Sequence, residues 1–293
     1  MALEAMSRLR VTLVLATFGR ANEIGRLLET LVGQTQAPFE LLVVDQNFDD
    51  RVLPFVAQAQ KAGLSVKHWR LTPANLSAAR NRGIAEATGD VIAFPDDDCW
   101  YSSDLIEQVQ LAFEHQPTWD GLVAQWVEQA EGVGRQADVG STLSAQAWQQ
   151  FRGGEASSIS LFIKVATLRR FGGFDEQLGV GQWFGAGEET DLLLRMLGGG
   201  AMIGQWSKAR VHHRFAPQAK LQQHAPWRDI LHRARGTGAI YAKHRMSGWV
   251  ILRGLLAPVG SAVWQRKGFR ALCLAFVETI GRLQGACMWI LAR

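Results

Sequence analysis

Hydrophobic and polar positions alternate between two periods over the first hundred residues. Short apolar runs or strict alternation predict strands at residues 11–16, 40–45, 64–69 and 91–94. Apolar residues at helical spacing predict a helix that ends near Val32, a second from Val52 to Lys61, and a third that Asn75 caps. Strands and helices that alternate in this way form a mainly parallel sheet with helices on both faces. The predicted fold class is therefore α/β.

Three of these strands end in side chains suited to a ligand. In parallel α/β sheets, ligands bind beyond the carboxyl ends of the strands. The three ends read Thr17-Phe18-Gly19-Arg20, Asp45-Gln46-Asn47 and Pro95-Asp96-Asp97-Asp98. We expect a binding site where these ends meet.

Three consecutive carboxylates, those of Asp96, Asp97 and Asp98, lie at that edge. They would repel one another unless a cation neutralised them. Carboxylate oxygens suit Mg²⁺ or Mn²⁺, which bind through one or two carboxylates together with substrate phosphates. The alternative is an acidic turn that caps the helix after Ser102 and Ser103. The position at the ligand edge favours the metal.

A glycine-rich stretch from Gly179 to Gly187 leads into an acidic helix start. Its Trp183 and Phe184 make a partly apolar lip on the side where an acceptor would bind. The acids that follow are Glu188, Glu189 and Asp191. Acids in a first helical turn oppose the helix dipole favourably, by about 0.3–1 kcal/mol each. A carboxylate at the mouth of a cleft also suits a general base for an acceptor hydroxyl.

A histidine pair, His212-His213, follows a short strand predicted around residues 209–211. Successive side chains of a strand point to opposite faces, so at most one imidazole faces a given site. Imidazole is a suitable additional ligand for Mn²⁺. The alternative for either histidine is a structural or merely exposed role.

Charge is distributed unevenly along the chain. The net charge is +4, yet from Lys208 onward only Asp229 and Glu278 are acidic among many lysines and arginines. Apolar runs at 249–252, 271–277 and 288–291 are interrupted by arginines, so none reaches the roughly 20 residues of a spanning helix. Basic amphipathic helices with Trp are typical of helices that lie on an anionic membrane surface. Helices that pack on the α/β domain or on a second copy of the chain are the alternative.

Further features bear on location and partners. Cys99, Cys273 and Cys287 are too few and too scattered for a disulfide framework, and residues 1–8 lack the apolar core of a signal peptide. We expect a cytoplasmic protein that is peripheral on the inner face of the cell membrane. No nucleic-acid-binding motif is present, so nucleic acid is not an expected partner. Residues 131–141 are the expected irregular loop.

Five motifs follow one another in the order and spacing of family 2 glycosyltransferases, which the chain resembles over about residues 10–215. They are Phe18-Gly-Arg20, Val43-Val-Asp45, Leu76-Ser-Ala-Ala-Arg80-Asn81-Arg-Gly83, Phe94-Pro-Asp-Asp-Asp98 and Gly187-Glu-Glu-Thr-Asp-Leu192. The resemblance implies the GT-A fold and sugar transfer from a nucleotide-sugar donor with inversion at the anomeric carbon. It also implies a lipid-linked or polysaccharide acceptor of the bacterial type.

Matched residue by residue, the resemblance implies a role for several side chains. Phe18 would stack on the base, Asp45 would hydrogen-bond it, and Arg80 would lie near the diphosphate. Asp96 would face the ribose and Asp98 would bind Mn²⁺ or Mg²⁺, with Asp96 and His213 as further ligands. Glu189 stands where the family usually has its catalytic aspartate, with Glu188 and Asp191 as alternatives. The remaining candidates for nucleotide-sugar binding are Thr17, Arg20, Asn47 and Asp97.

The sequence therefore predicts a GT-A catalytic domain at residues 1–225 and a basic helical tail at 226–293. The nucleotide-binding half would lie at about 10–100 and the acceptor half at about 101–225. The expected function is inverting, metal-dependent sugar transfer. One alternative is a non-catalytic GT-A-like membrane or scaffold protein. The other is a sugar nucleotidyltransferase, which would carry a Gly-rich, basic signature near the N-terminus, and Thr17-Phe-Gly-Arg20 is not such a signature.

Overall fold

The computed structural model describes residues 9–20, 22–36, 39–127, 140–152, 156–213, 226–266 and 268–292. Its strands are β1 (Val11–Thr17), β2 (Phe39–Asp45), β3 (Val66–Arg70), β4 (Val91–Ala93), β5 (Cys99–Tyr101), β6 (Gly121–Val127), β7 (Leu161–Lys164) and β8 (Ile203–His213). Its helices are α1 (Asn22–Val32), α2 (Leu53–Lys61), α3 (Leu76–Glu86), α4 (Leu105–His115), α5 (Ala145–Gln149), α6 (Val165–Phe171), α7 (Glu188–Gly198), α8 (Trp227–Lys243), α9 (Gly248–Trp264) and α10 (Phe269–Leu291).

Within the described residues the strands form one eight-stranded sheet in the order β3-β2-β1-β4-β7-β6-β8-β5. The β3-β2-β1-β4 half is parallel throughout, whereas β7 and β5 run antiparallel to their neighbours. Along β1, Leu13 and Leu15 pack into one core and Val14 packs into the core on the opposite face. Both faces are covered because successive side chains of a strand alternate. The predicted α/β class is confirmed.

The predicted strands and helices of the first hundred residues are present, with ends displaced by one or two residues. Asn75 caps α3 as expected, since its Oδ1 accepts a hydrogen bond from the Ala78 amide at 3.0 Å. The short strand predicted around residues 209–211 belongs to the longer β8. Residues 1–8, and 131–139 of the predicted loop, lie outside the described residues.

The carboxyl ends of β1 and β2 lie side by side, because Thr17 pairs with Asp45 in register. Helix α3 approaches β1 so closely that a Cβ at Gly83 would lie 2.2 Å from Val14 Cγ1. A larger residue would push α3 away from the sheet. Gly83 therefore keeps α3, and Arg80 one turn earlier, against the ligand edge.

The tail packs on the sheet-containing part of the chain. The Gly185 amide donates a hydrogen bond to the His232 carbonyl at 3.0 Å, and a Cβ at Gly236 would lie 2.0 Å from the Ala186 oxygen. Helix α10 then lies along α8, where a Cβ at Gly285 would lie 2.0 Å from the Arg235 oxygen. The alternative of helices packed on the α/β domain is thus observed.

The apolar runs at 271–277 and 288–291 lie on one continuous helix, α10. It has 23 residues, and its length and composition are sufficient to cross a membrane. In the sequence, Arg270 and Arg282 interrupt the apolar runs, and Arg282 pairs with Glu278 one turn away on this helix. As expected, α10 contains no uncharged stretch of about 20 residues, but the helix as a whole has the length and composition of a spanning segment.

Candidate active site

A cleft of about 710 Å³ opens at the carboxyl ends of β1, β2 and β4. Its lining residues come from parts of the chain that are distant in sequence, from Ala16 to Arg233. They include Phe18, Arg20, Gln46, Asn75, Asp96, Asp97, Asp98, Ser157, Val180, Gly181, His213 and Arg233. The binding site expected at the strand ends is therefore a single cavity.

Asp97 is held inside the protein by the β1 turn. Thr17 Oγ1 donates to its Oδ2 at 2.9 Å, and Arg20 Nη1 lies 2.7 Å from its Oδ1. Burial raises the pKa of Asp97, against the attraction of Arg20. Thr17, Arg20 and Asp97 thus support the floor of the cleft, and Arg20 also reaches Asp98 Oδ2 at 2.5 Å.

Asp98 forms an ion pair with His213 at the other side of the cleft. Asp98 Oδ1 lies 3.0 Å from His213 Nε2, and this hydrogen bond lowers the pKa of Asp98 to about 2. The same contact raises the pKa of His213. His212 points to the opposite face, where its Nε2 lies 2.9 Å from Ser102 Oγ and its ring stacks on Trp100. The predicted alternation of the two histidines is confirmed.

Arg80 connects the aspartates to the acids of α7. Its buried guanidinium lies 3.5 Å from Asp96 Oδ1 and 3.3 Å from Glu188 Oε1. Glu189 Oε1 is 3.7 Å away, and Ser158 Oγ accepts a hydrogen bond at 2.7 Å. Ser158 belongs to a one-turn 3₁₀ helix and has no motif around it, so the sequence offered no signal for it.

Asp96 has carboxylates on several sides. Burial at the cleft floor and the nearby charges of Glu189, Asp98 and Asp97 raise its pKa, while Arg80 lowers it. The Asp96 side chain is 44% exposed, so a cation can reach it from the cleft. A bound cation would offset the repulsion from the neighbouring carboxylates and so remove that contribution to the raised pKa.

The three acids of α7 have different surroundings. Glu188 is buried, and burial together with neighbouring Glu189 raises its pKa. Glu189 is the most open of the three, with 25% of its side chain exposed. Asp191 is fully buried, and its carboxylate binds Lys243 and His244 at the end of α8 and Arg195 of α7 itself. Asp191, an alternative base from the sequence, is occupied by these contacts and does not line the cleft.

Asp45 also lies behind the cleft wall. Its Oδ1 accepts hydrogen bonds from the amide and the side chain of Asn47, and its Oδ2 is 3.1 Å from His68 Nε2. Asn47 Oδ1 in turn accepts a hydrogen bond from the Gly19 amide at 2.7 Å, and Gly19 has a φ of +76°. Asp45 is fully buried and does not line the cleft, so its contact with a base stays a prediction. The adjacent Gln46 lines the cleft instead.

The two aromatic residues of the lip, Trp183 and Phe184, also differ in their exposure. Phe184 is buried, with its ring 5.2 Å from that of Trp289, so it is a core residue and not a surface for an acceptor. Trp183 is 41% exposed, with the Arg235 guanidinium 4.3 Å above its ring. Val180 and Gly181 are the lip residues that line the cleft.

In the part of the chain that the structure describes, no three His, Cys, Asp or Glu side chains converge on a point that would hold a metal ion. Asp98 and His213 do present a carboxylate and an imidazole to one cavity, beside Asp96. This set fits a Mn²⁺ or Mg²⁺ ion that takes its other ligands from a substrate diphosphate and water.

Comparison with known proteins decides the family. The sequence model of glycosyl transferase family 2 matches residues 12–166, more than half of the chain. The chain belongs to this family. The uncharacterized glycosyltransferase YwdF of Bacillus subtilis (strain 168) is 29% identical to this chain over 106 residues, which are 36% of this chain and 39% of YwdF. The match thus spans about two fifths of that relative.

Two solved structures share the fold of this chain. TarS 1-349 of S. aureus in complex with UDP-GlcNAc has a TM-score of 0.61 at 13% identity and covers 97% of this chain and 92% of its own. The mannosyltransferase PcManGT of Pyrobaculum calidifontis, in complex with GDP-Man and Mn²⁺, has a TM-score of 0.63 at 14% identity, with 98% and 89% covered. The chain therefore has the mixed α/β fold of GT-A proteins.

Proposed function

We propose that this transferase moves a sugar from a nucleoside diphosphate donor to an acceptor hydroxyl, with inversion at the anomeric carbon. One observation carries the proposal: the exposed ring of Phe18 and the Asp96–Asp98 acids line one cleft, and Arg80 behind it lies 3.5 Å from Asp96 and 3.7 Å from Glu189. The UDP-GlcNAc of the TarS complex and the GDP-Man of the PcManGT complex support a nucleotide-sugar donor for this chain.

Phe18 is the residue best placed to bind the base. Its ring is 53% exposed at the rim of the cleft, beside Gln46, and a base can stack on it. Asp45 acts indirectly, because its bonds to Asn47 hold the β1 turn that presents Phe18. Arg80 lies where its positive charge would stabilise the negative charge of the departing diphosphate.

The proposed metal ligands are Asp98, Asp96 and His213. When bound, Mn²⁺ or Mg²⁺ supplies positive charge that stabilises the leaving diphosphate. Asp98 and His213 already face each other at 3.0 Å, so a cation would replace the contact between them. Arg20 pairs with Asp97 at 2.7 Å and with Asp98 at 2.5 Å, so a cation bound to Asp98 would also take over this second contact.

Glu189 is the proposed base. Its carboxylate is the most open of the three α7 acids, and the guanidinium of Arg80 lies 3.7 Å from it. As Glu189 takes the proton of the acceptor hydroxyl, that oxygen attacks the anomeric carbon on the face opposite the diphosphate. This direct displacement inverts the centre and needs no covalent enzyme intermediate.

The tail is the proposed membrane-binding surface, which favours a lipid-linked or membrane-borne polysaccharide acceptor. Trp264 and Phe269, on either side of the α9–α10 turn, are 88% and 83% exposed, and Arg266 and Arg270 beside them are exposed as well. Exposed apolar side chains continue along both helices: Trp249, Leu256, Phe276, Ile280, Leu283 and Ile290. Aromatic residues with a basic rim suit the interface of an anionic membrane.

An in-plane position is proposed for α10. Gly281 and Gly285 place its backbone against α8, and Arg235 Nε donates to Gln284 Oε1 at 3.1 Å. Helix α8 carries several charges and packs on the lip, so α10 could not cross a bilayer without drawing these charges into it. The helix would therefore lie on the surface with its apolar side buried in the head-group region.

Calorimetric titration with UDP, GDP and dTDP, each with and without Mn²⁺, tests the donor and the metal. We expect Mn²⁺-dependent binding of one nucleotide and its loss in Asp98→Ala. Asp104→Ala, which changes an acid just after the cleft segment, serves as the control. If a folded protein binds none of the three nucleotides, the proposed function is wrong.

Sedimentation with vesicles tests the membrane surface. The chain should bind vesicles of phosphatidylglycerol and phosphatidylcholine and should not bind phosphatidylcholine alone. Trp264→Ala with Phe269→Ala should abolish binding, whereas Met202→Ala, an exposed apolar residue next to β8, should not. Equal binding of both vesicle types would contradict recognition of anionic lipid.

A further inference from the structure

A side chain from the tail reaches the nucleotide cleft. Arg233, on α8, lines the cleft with Val180 and Gly181 of the lip and with Asp96–Asp98. The sequence assigned this arginine to a membrane-facing helix because its neighbours alternate between basic and apolar residues. Its position in the fold gives it a different environment from the rest of the tail.

The backbone around Arg233 is fixed against the lip. The preceding residue, His232, accepts the Gly185 amide at 3.0 Å. Three residues later, Gly236 lies so close to Ala186 that a Cβ would meet the Ala186 oxygen at 2.0 Å. With both contacts in place, α8 cannot rotate or slide without separating from the lip. The start of the Arg233 side chain is therefore held at the cleft.

The charges of the cleft arginines differ in how they are balanced. Arg20 is paired with Asp97 at 2.7 Å, and Arg80 with Glu188 at 3.3 Å. Among the residues that the structure describes, Arg233 has neither a hydrogen bond nor an ion pair with an acid. A guanidinium that lines a cleft without a protein carboxylate is available to an anionic ligand, and its planar fork fits phosphate.

We propose that Arg233 binds a phosphate group of a substrate inside the cleft, an inference that rests on the proposed sugar transfer. Two phosphates have the required chemistry, the diphosphate of the donor and the phosphate of a lipid-linked acceptor. In either case α8 contributes directly to the active site. The tail then has two roles, because one face of α8 completes the cleft and α10 behind it carries the exposed apolar surface.

The experiment compares the full-length chain with Arg233→Gln, Arg233→Lys and Arg228→Gln. Arg228 is an exposed arginine on the same helix, stacked 5.5 Å from the Trp227 ring, and does not line the cleft. Each protein is titrated, in Mn²⁺, with the nucleoside diphosphate that the wild type binds and with the matching nucleoside. Farnesyl phosphate serves as the probe for a lipid phosphate.

If Arg233 binds a donor phosphate, Arg233→Gln should lower the affinity for the nucleoside diphosphate about tenfold and leave the affinity for the nucleoside unchanged. Arg233→Lys should be intermediate and Arg228→Gln should match the wild type. If Arg233→Gln lowers only the affinity for farnesyl phosphate, the phosphate that Arg233 binds belongs to the acceptor. Unchanged affinity for both phosphates would overturn the inference alone, whereas a wild type that binds no nucleotide would overturn the proposed function as well.

Discussion

The carboxylate of Asp191 lies 2.7 Å from Nζ of Lys243, and this contact joins the first turn of α7 to the last turn of α8. His244 Nε2 at 2.8 Å and Arg195 Nε at 2.9 Å contact the same carboxylate. Because Asp191 is fully buried, its charge is balanced entirely inside the protein. The acid therefore holds α8, and with it Arg233, in place beside the cleft.

Asp191→Asn should lower the free energy of unfolding by about 2–3 kcal/mol, because the partly buried Lys243, His244 and Arg195 lose their shared carboxylate and, among the described residues, only Lys243 keeps a second one, that of Asp175. Urea denaturation of the two proteins measures the difference. The control is Asp229→Asn, which changes an exposed acid on α8 and should cost less than about 0.5 kcal/mol. Equal stability of the two variants would show that the Asp191 cluster does not hold the helices together.

The same residue predicts a dependence of stability on pH. Burial would raise the pKa of Asp191, but hydrogen bonds and charges from His244, Arg195 and Lys243 lower it to about 2. Its pKa in the unfolded chain is about 3.9, so the folded state gains about 2–3 kcal/mol above pH 4. This gain is lost as the pH falls from about 4 to about 2. The stability difference between wild type and Asp191→Asn should shrink over that range, and a constant difference would contradict the assignment.

Glu189→Gln should reduce kcat by about 10²- to 10⁴-fold with little change in nucleotide affinity, because the amide cannot accept the hydroxyl proton. Steady-state kinetics with the donor and calorimetry with its nucleotide separate the two effects. Glu188→Gln is the matched comparison on the same helix. If Glu188→Gln removes kcat and Glu189→Gln does not, the base is Glu188.

The two histidines of β8 form a natural control pair. His213→Gln should raise the Mn²⁺ concentration for half-maximal nucleotide binding by about 10- to 100-fold, since it removes a proposed ligand next to Asp98. His212→Gln changes the residue on the opposite face, which contacts Ser102, and should leave the Mn²⁺ dependence unaltered. Identical Mn²⁺ titrations for both variants would remove His213 from the metal site.

The close crossing of α8 and α10 predicts a contrast between two glycines. Gly285→Ala should destabilise the chain by about 1–3 kcal/mol, since the new Cβ would lie 2.0 Å from the Arg235 oxygen and the backbones must separate. Gly260→Ala on α9 meets no atom within 4 Å and should be neutral or stabilising by up to about 1 kcal/mol. Thermal unfolding distinguishes them, and equal shifts would contradict the crossing.

Sequence periodicity was sufficient for the parallel half of the fold. Runs such as Leu41–Val44 are buried on both sides of a strand, and Asn75 caps its helix whatever surrounds it, because these are properties of neighbouring residues. The family motifs likewise located the Asp96–Asp98 segment and the α7 acids. The alternation of His212 and His213 also followed from local geometry.

The roles within those motifs were decided by contacts that are distant in sequence. Asp45 and Asp191 are acids at a predicted site, yet His68 and Lys243 occupy them and both are buried. Phe184 became a core residue because Trp289 packs on it from more than a hundred residues away. Local sequence shows that a side chain can ionise or stack, but its partner is chosen by packing.

The tail shows the same division most clearly. The sequence alone established that the tail is basic, helical and partly apolar, since charge and hydrophobic spacing depend only on which residues follow one another. Tertiary structure decided that glycines at 236, 238, 281 and 285 bring α8 against the lip and α10 against α8. Close backbone approach requires two surfaces to meet, so no pattern in one helix reveals it. For that reason Arg233 is a basic tail residue in the sequence and a residue of the cleft in the folded protein.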